Sequence, residues 1–216
     1  MRNVNCKTIT EAVAKLCCDA CIDLGEDVLK SIKDAISKER SETGREILEI
    51  LLKNAEVAKN ESIPICQDTG FAVIFVELGQ DVCVVGGDFN ESINEGVRIG
   101  YQECYLRKSI VKNPFDRTNT RDNTPCVIHI NIVPGENIKI TVSPKGGGSE
   151  NMSAVKMLKP AEGWQGVKEF VIETVKKAGP NPCPPLVIGV GIGGTMEKAL
   201  FLNPQFFCQG YSFLHP

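Results

Sequence analysis

The feature that most constrains the fold is a change of hydrophobic period at Pro64. From residue 7 to about residue 59, apolar side chains recur every three or four positions, as they do on one face of a helix. Gly25 and the sequence SETG (41–44) interrupt the pattern, so it predicts three helices, and Thr43 with Glu46 predicts a capping box on the third. After Pro64, short runs rich in β-branched residues indicate strands.

The remainder of the chain predicts alternating strands and helices. FAVIFVEL (71–78) and VCVVGG (82–87) are separated by a short turn sequence and predict a hairpin. The further predicted elements are a helix (91–111), two strands (126–133 and 138–144), a helix (163–179), a strand after NPCPP and a final helix beginning TMEKAL (195–200). The predicted fold class is therefore mixed α/β, with an N-terminal helical segment followed by mixed β-sheet and packed helices.

Composition narrows the classes of function. The formal net charge is -3 and both signs are mixed along the chain, which argues against nucleic acid as a partner. No run reaches the roughly 18 apolar residues of a membrane span, and the charged start is unlike a signal peptide, so we expect a cytoplasmic protein without a membrane partner. In that compartment the ten cysteines are expected to be reduced. Most of them, including those of CCDAC (17–21), are expected to pack in the core.

Two cysteines stand in a different setting. Cys66 in IPICQDTG and Cys183 in NPCPPLVIG lie in proline-containing loops without hydrophobic periodicity. Proline stiffens the backbone, which suits a metal ligand whose sulfur must point at one place. Two thiolates are too few for tetrathiolate zinc but could be two corners of an iron–sulfur cluster. Core packing remains the alternative for both residues.

Two glycine-rich sequences also invite a functional interpretation. SPKGGGSEN (143–151) is not a P-loop, because its lysine precedes the glycines, but its N–H groups and Lys145 could bind a carboxylate. A flexible turn is the alternative. GVGIGG (189–194) satisfies the spacing of a dinucleotide-binding loop, yet no ribose-binding acid follows in a second strand. Close backbone packing is therefore the preferred interpretation of the second sequence.

Five motifs together carry a family resemblance. In this order and spacing, ICQDTG, YLRKS, DNTP, SPKGGGSEN and NPCPPLVIGVGIGGTMEKA resemble the alpha subunit, or N-terminal catalytic domain, of the oxygen-sensitive class I fumarases and L-tartrate dehydratases. The resemblance runs from the helical start to about Ala199, and it implies one catalytic domain over 1–199 followed by a divergent tail over 200–216. It implies a hydro-lyase with a 4Fe–4S cluster held by three cysteines, whose open iron acts as a Lewis acid.

The resemblance also implies roles for individual residues. Cys66 and Cys183 match the first two cluster ligands, and Arg107 matches a residue that binds a substrate carboxylate. The remaining implied substrate contacts are Gln67 and Asp68 after the first ligand, and Lys145, Gly147 and Gly148 in the glycine-rich sequence. Asp68 could alternatively be a loop or cap residue. A dicarboxylate substrate, a separate beta subunit and an oligomeric assembly are implied, with fumarate hydration to L-malate as first function and L-tartrate dehydration as alternative.

The end of the chain departs from the family pattern. Family members continue to a third cysteine in a histidine-rich motif, whereas this chain turns to FLNPQFFCQGYSFLHP, where Pro204 is expected to break the helix just begun. Cys208 is the only late thiol and lacks the surroundings of that motif, so the third ligand is not found. A frameshift or premature stop, or a short form completed by another chain, would explain the change. We therefore expect an inactive or poorly active truncated relative as a further alternative.

Overall fold

A computed structural model of the chain describes residues 1–183, 185–207 and 212–215, with the backbone alone for 202–207 and 212–215. No helix among these residues is long and apolar enough to cross a membrane. The helices are α1 (Cys6–Ile22), α2 (Glu26–Lys38), α3 (Glu42–Glu61), α4 (Phe89–Glu103), α5 (Gly147–Glu150), α6 (Gly163–Ala178) and α7 (Met196–Phe207). The strands are β1 (Arg2–Asn5), β2 (Phe71–Gly79), β3 (Val82–Val85), β4 (Val127–Val133), β5 (Ile138–Lys145) and β6 (Ser212–His215). The expected mixed α/β class is confirmed.

The three N-terminal helices are confirmed, but their start signals differ in detail. The Asn5 side chain caps α1 by accepting a hydrogen bond from the Lys7 backbone N–H, at 2.8 Å. Helix α3 begins earlier than the capping box predicts, because the Ser41 side chain accepts a hydrogen bond from the Gly44 N–H. Thr43 and Glu46 are therefore inside the helix, and the predicted box is wrong. A serine at the N-cap satisfies an N–H of the first turn equally well.

Strand pairing does not follow the order of the chain. β2 and β3 lie in different sheets, so the predicted hairpin between them is wrong: β3 pairs in parallel with β1, from Arg2 opposite Val82 to Asn5 opposite Val85. The second sheet has the order β4-β2-β5-β6, with β4 parallel to β2. The short turn after Gly79 allowed a hairpin, but the N-terminal strand, distant in sequence, takes the position beside β3.

The core lies between this second sheet and the pair α1 and α4. Its buried members come from both helices and from β2 and β5, and they include Val13, Leu16, Ile74, Ile93, Val97, Ile138 and Ile140. Gly96 and Gly100 let the helices approach closely, since a Cβ on Gly100 would lie 2.7 Å from the Ala14 carbonyl oxygen. The same approach brings Cys18 and Cys104 into a disulfide bond, so the expectation that every thiol is reduced is wrong for this pair.

Helix α4 ends well before the predicted residue 111. Tyr105 has a left-handed backbone (φ 54°) and is 89% exposed, whereas Leu106 turns inward and is only 1% exposed. The Leu106 N–H donates to the Tyr101 carbonyl oxygen at 3.0 Å, which closes the helix end. The predicted helix (91–111) included Tyr105, but the left-handed backbone at this residue cannot continue the helix. Arg107 consequently lies in a loop after the helix.

The later elements confirm one prediction and correct two. Helix α6 occupies Gly163–Ala178 as predicted, but residues 186–192 after NPCPP form no strand. Helix α7 continues through Pro204 to Phe207, so the expected break is wrong. A proline removes one backbone hydrogen bond and leaves the other bonds of the helix in place.

The chain divides into two compact units. The first contains residues 1–144 with 210–216, and the second contains residues 145–209. The first unit holds both sheets and α1 to α4, and the second holds α5, a short 3₁₀ turn at Pro160–Glu162, α6 and α7.

Candidate active site

The Cys66 loop connects α3 to β2, and two hydrogen bonds to the backbone of Ile65 hold its start. The Ile65 N–H donates to the Cys21 carbonyl oxygen at 2.9 Å, and the Asn54 side-chain amide donates to the Ile65 carbonyl oxygen at 2.9 Å. Cys66 and Gln67 are exposed, whereas Asp68 is half-buried. The Asp68 backbone N–H donates to the Cys66 sulfur at 3.4 Å. Hydrogen bonds to cysteine sulfurs are among the interactions that tune iron–sulfur clusters.

The end of the loop is fixed by buried polar side chains. The hydroxyl of Tyr101 on α4 donates to the carbonyl oxygens of Thr69 (3.0 Å) and Gly70 (3.3 Å). Burial raises the pKa of Tyr101, which keeps this hydroxyl protonated as a donor. The Asn123 side-chain amide also donates to the Gly70 carbonyl oxygen at 3.2 Å, and Asn123 is fully buried with φ 61°. These bonds hold the backbone just after Asp68.

Arg107 is brought beside this loop by the same group of residues. The hydroxyl of Thr69 donates to the Arg107 carbonyl oxygen at 3.2 Å. Ser109 and Ile110, which follow Arg107 in the same loop, donate their backbone N–H groups to the side-chain oxygen of Asn123, at 2.6 Å and 3.3 Å. The Arg107 side chain itself is exposed. The first unit therefore presents one thiol, one amide, one carboxylate and one guanidinium on two loops joined by buried hydrogen bonds.

A charged cluster lies next to these loops. The Arg98 guanidinium on α4 donates to Asp122 at 3.2 Å and to Glu91 at 3.0 Å, and it is also paired with Glu95. Partial burial would raise the pKa of Asp122, but hydrogen bonds from Thr124, Thr120 and Arg98 outweigh it and hold the pKa below its ordinary value. Because Asp122 precedes Asn123, this cluster helps to position the buried amide.

In the second unit the glycine-rich sequence forms the single helical turn α5. Lys145 is committed to this turn: its ammonium donates to the Ser149 hydroxyl at 2.8 Å and pairs with Glu150 at 3.2 Å. Gly147 and Gly148 are exposed at the start of the turn, where backbone N–H groups point the same way along the axis. The ammonium of Lys145 lies at this turn with its charge partly balanced by Glu150.

Cys183 lies close to this turn within the same unit. A Cβ on Gly148 would meet the Asn181 carbonyl oxygen at 3.2 Å, and the Asn181 amide lies 3.7 Å from the Met152 sulfur. The Cys183 N–H donates to the Pro180 carbonyl oxygen at 3.1 Å, and Cys183 is exposed with φ 56°. The second unit thus brings a thiol and the glycine-rich turn together.

The described free cysteines differ in burial, and burial decides how well each thiol suits a metal ion. Burial raises the pKa of Cys21 to about 12 and that of Cys126 to about 11, and burial also raises the pKa of Cys17. These thiols stay protonated and confirm the expected core packing. Among the described free cysteines, Cys66 and Cys183 are the exposed ones. They therefore fit the donor chemistry of an iron–sulfur cluster, which requires accessible thiolates.

A three-cysteine cluster needs one ligand more. Among residues 1–183, 185–207 and 212–215, no group of three or more histidine, cysteine, aspartate or glutamate side chains could hold a metal ion. Cys208, the late thiol noted in the sequence, lies outside the described residues. The described chain supplies two candidate ligands and leaves the third unassigned.

Sequence reasoning missed the residues that join the two loops. Tyr101 was predicted only as a residue of the helix 91–111, and Thr69 and Asn123 were not singled out, although they belong to the quoted motifs ICQDTG and DNTP. A polar side chain that is buried in a loop is a signal of this role, but burial is not visible in the sequence. The dinucleotide interpretation also loses its context, because the described residues 185–188 just before GVGIGG form no strand.

Comparisons with a protein family and with individual proteins agree on the family of this chain. The family described as Fumarate hydratase (Fumerase) matches residues 10–209. The chain is 40% identical to the putative L(+)-tartrate dehydratase subunit alpha of Methanocaldococcus jannaschii, over 90% of this chain and 70% of that protein. It is 30% identical to the L(+)-tartrate dehydratase subunit alpha of Escherichia coli K12, over 96% of this chain and 69% of that protein. The chain therefore belongs to the fumarate hydratase (Fumerase) family of hydro-lyases, to which the motifs pointed.

Proposed function

We propose that this chain is the alpha-type subunit of an iron–sulfur hydro-lyase that removes water from L-tartrate. The observation that carries the proposal is the junction of the Cys66 loop with the Arg107 loop through Thr69, 3.2 Å from the Arg107 carbonyl oxygen. It supports a site in which a metal ligand and a carboxylate-binding cation serve one small molecule. The sequence motifs alone made fumarate the first expectation, whereas the names of the relatives favour tartrate.

The proposed cofactor is a 4Fe–4S cluster with Cys66 and Cys183 as two of its ligands. Both are exposed free thiols, and the Cys66 sulfur accepts an N–H donor. When bound, the cluster would supply a Lewis acid that polarises the departing hydroxyl group. The third ligand is not among the described residues, so an inactive relative that binds a partner without chemistry is the competing interpretation.

The protein residues bind and orient the substrate in this proposal. The Arg107 guanidinium would pair with one carboxylate, and Gln67 and Asp68 would hydrogen-bond the substrate hydroxyl groups beside it. The backbone of Gly147 and Gly148, with Lys145, would bind the second carboxylate through N–H groups and a positive charge. Loss of water from a dihydroxy dicarboxylate leaves an enol, which becomes the 2-oxo dicarboxylate. The cationic and N–H groups stabilise the negative charge that develops in this step.

A beta-type subunit is the proposed partner, because both relatives are named as alpha subunits. Fumarate hydration is a second candidate, which the description of the matching family supports. Fumarate and tartrate both present two carboxylates separated by two carbons, so the binding groups above suit either molecule. A direct comparison of the two substrates on the assembled enzyme decides between them.

Anaerobic reconstitution with iron and sulfide tests the cofactor. We expect a brown, oxygen-bleached protein, with iron content and visible absorbance lost in Cys66→Ser and Cys183→Ser. Cys83→Ser is the matched control, since Cys83 is a free, half-buried cysteine of β3 and should keep the colour. A colourless wild type, or colour retained in both ligand variants, would contradict the cofactor assignment and favour the non-catalytic alternative.

Substrate turnover is then measured with the beta-type subunit of a relative. We expect production of a 2-oxo acid from L-tartrate, and Arg107→Lys should raise KM because it removes paired hydrogen bonds to the carboxylate. Faster hydration of fumarate than dehydration of tartrate would select the second candidate. A coloured complex without either activity would mean that the cluster is present but the chain is catalytically inactive.

A further inference from the structure

A disulfide bond fastens the end of helix α4 to helix α1. Cys18 lies near the end of α1, and Cys104 directly follows the last residue of α4, 86 positions later in the chain. The two helices also pack closely at Gly96 and Gly100, so their contact does not depend on the bond alone. The bond acts on the segment that leaves α4, because Cys104 is the residue at which that helix ends.

On the α1 side, the bond lies one helical turn from an anchor of the Cys66 loop. Cys21 follows Cys18 by three residues, and its carbonyl oxygen accepts the hydrogen bond of the Ile65 N–H at 2.9 Å. Ile65 directly precedes Cys66. A bond that holds α1 at Cys18 therefore also holds the turn to which the start of this loop is attached.

On the α4 side, the bond lies three residues before Arg107. The Cys104 N–H donates to the Gly100 carbonyl oxygen at 3.1 Å, and Tyr105 then takes a left-handed backbone. The Leu106 side chain is buried, whereas that of Arg107 is exposed. The Arg107 guanidinium thus lies on a short segment whose first residue is covalently held.

The disulfide bond is accessible from solution. Both cysteines are half-buried, and Cys18 lines a surface depression between α1 and α4, together with Glu11, Lys15 and Glu103. Exposed disulfides are the labile and regulatory ones, because thiol–disulfide exchange needs access to one of the two sulfurs. A small thiol that enters the depression meets the Cys18 sulfur.

The neighbouring free thiols on α1 do not compete for this bond. Cys17 and Cys21 are both buried, and burial raises the pKa of Cys17 and raises that of Cys21 to about 12. The thiolate is the form that attacks a disulfide, so these protonated thiols are poor nucleophiles. Opening of the bond therefore depends on a thiol supplied from outside.

We propose that the Cys18–Cys104 disulfide is a thiol-sensitive switch that sets how firmly the Cys66 loop and the Arg107 segment are held. A thiolate of an external dithiol attacks the Cys18 sulfur and forms a mixed disulfide, while the electron pair of the broken bond passes to Cys104, which takes up a proton. The second thiol of the dithiol then displaces Cys18, which also becomes a thiol. The protein gains two electrons and two protons, and the dithiol loses them and leaves as a disulfide.

The meaning of this switch for catalysis rests on the proposed function. With the bond closed, α1 and the end of α4 move together, and the two loops keep their relative position. With the bond open, the segment from Cys104 to Arg107 loses its covalent tether, and the buried hydrogen bonds of Thr69 and Asn123 remain as a connection. We therefore expect the reduced chain to bind a dicarboxylate more weakly.

Hydrogen exchange of the full chain without cluster tests the switch independently of activity. We expect dithiothreitol to open the bond in the folded protein, to speed exchange in residues 63–70 and 104–110, and to lower the unfolding temperature by about 4–16 °C. An excess of oxidised glutathione, a small disulfide, should reverse these changes. Cys83→Ser is the matched control and should respond like the wild type, since Cys83 is a free cysteine of β3.

Two outcomes of this experiment would overturn the proposal. One is a bond that dithiothreitol opens only after the protein has unfolded. The other is equal exchange of both segments in the oxidised and reduced protein, which would make the bond a structural cross-link without influence on the loops.

Two variants guard against side effects of the reductant. Cys18→Ser and Cys104→Ser should each reproduce the exchange of the reduced wild type and should respond neither to dithiothreitol nor to oxidised glutathione. Folded variants that exchange like the oxidised wild type would contradict the tether. If a variant fails to fold, the comparison of oxidised and reduced wild type decides, because it needs no substitution.

Kinetics with the beta-type subunit under nitrogen then test the link to the site. We expect the reduced form to have a several-fold higher KM for the dicarboxylate, with a smaller change in kcat, and closure of the bond to restore the lower KM. Equal KM values in the two forms would overturn the regulatory role. Absence of activity in both forms, with the exchange difference intact, would refute the proposed function and leave the switch supported.

Discussion

The hydroxyl of Thr69 donates a hydrogen bond to the Arg107 carbonyl oxygen at 3.2 Å. Together with the hydrogen bonds of Asn123, this bond connects the loop that carries Cys66, Gln67 and Asp68 with the loop that carries the proposed carboxylate-binding cation. Thr69 is 5% exposed, so water does not readily replace its partner. The relative position of the two loops therefore depends on a buried side chain that has no chemistry of its own.

Replacing Thr69 with valine should loosen Arg107. The valine variant keeps the shape of the side chain and leaves the Arg107 carbonyl oxygen, in a partly buried setting, without its donor, which costs about 1–3 kcal/mol. We expect a lower free energy of unfolding and a higher KM for the dicarboxylate, with a smaller effect on kcat. Urea unfolding and steady-state kinetics with the beta-type subunit measure these quantities. Thr69→Ser retains the hydroxyl and should behave like the wild type; equal kinetics in both variants would refute the positioning role.

Asn123 should be one of the most sensitive residues of the first unit. Its fully buried side chain accepts hydrogen bonds from the N–H groups of Ser109 and Ile110 and donates one to the carbonyl oxygen of Gly70. Asn123→Ala removes all three bonds and should cost about 2–4 kcal/mol of unfolding free energy. Asn123→Asp keeps the acceptor for Ser109 and loses the donor to Gly70, so the comparison separates the two loops. A change below about 1 kcal/mol in the alanine variant would show that the network is not needed for the fold.

The close approach of α1 and α4 should not tolerate a methyl group. A Cβ on Gly100 would lie 2.7 Å from the Ala14 carbonyl oxygen and 2.9 Å from the Cys17 Cβ. Gly100→Ala should therefore destabilise the protein by about 1–3 kcal/mol, although alanine is the better helix former. Thermal unfolding by circular dichroism measures the change. Gly44→Ala on α3, where only the flexible Glu39 side chain is near, is the control and should cost less.

Alkylation should distinguish the exposed thiols from the buried ones. In the native protein without cluster, iodoacetamide is expected to modify Cys66 and Cys183 first, because both are exposed. Cys17, Cys21 and Cys126 should react only after unfolding, since burial raises their pKa values and blocks access. Peptide mass spectrometry after timed labelling gives the order. Cys18 and Cys104 should require prior reduction, and their labelling without a reductant would contradict the disulfide bond.

Asp122 should make stability depend on pH in the acid range. Its pKa is lower in the folded chain, so its contribution is present above its ordinary pKa of about 3.9 and is lost as the pH falls through the folded value. Urea midpoints between pH 5 and pH 3 should therefore decline more steeply for the wild type than for Asp122→Asn. Arg98→Gln removes one of the hydrogen bonds and should give an intermediate decline. Identical slopes for wild type and Asp122→Asn would contradict the assignment.

Local patterns were reliable where a short segment decides its own conformation. The three N-terminal helices, α6 and the setting of Cys66 and Cys183 in irregular loops follow from hydrophobic period, glycine and proline. The motifs identified the family, because several long segments matched at once. The N-cap of α3 was less predictable, because Ser41 and Thr43 are both residue types that cap helices. The end of α4 was also less predictable, because Tyr105 adopts a left-handed backbone that its residue type does not favour.

The sequence by itself determined the family, the helical start, the two candidate cluster ligands and the candidate substrate residues. Only the tertiary structure decided which strands pair and which residues hold the site loops together. β3 pairs with β1, and β4 is left at an edge, because pairing depends on distant segments that compete for the same backbone groups. Thr69, Tyr101 and Asn123 acquire their role only when they are buried, where an unpaired polar group is costly and each bond constrains a loop.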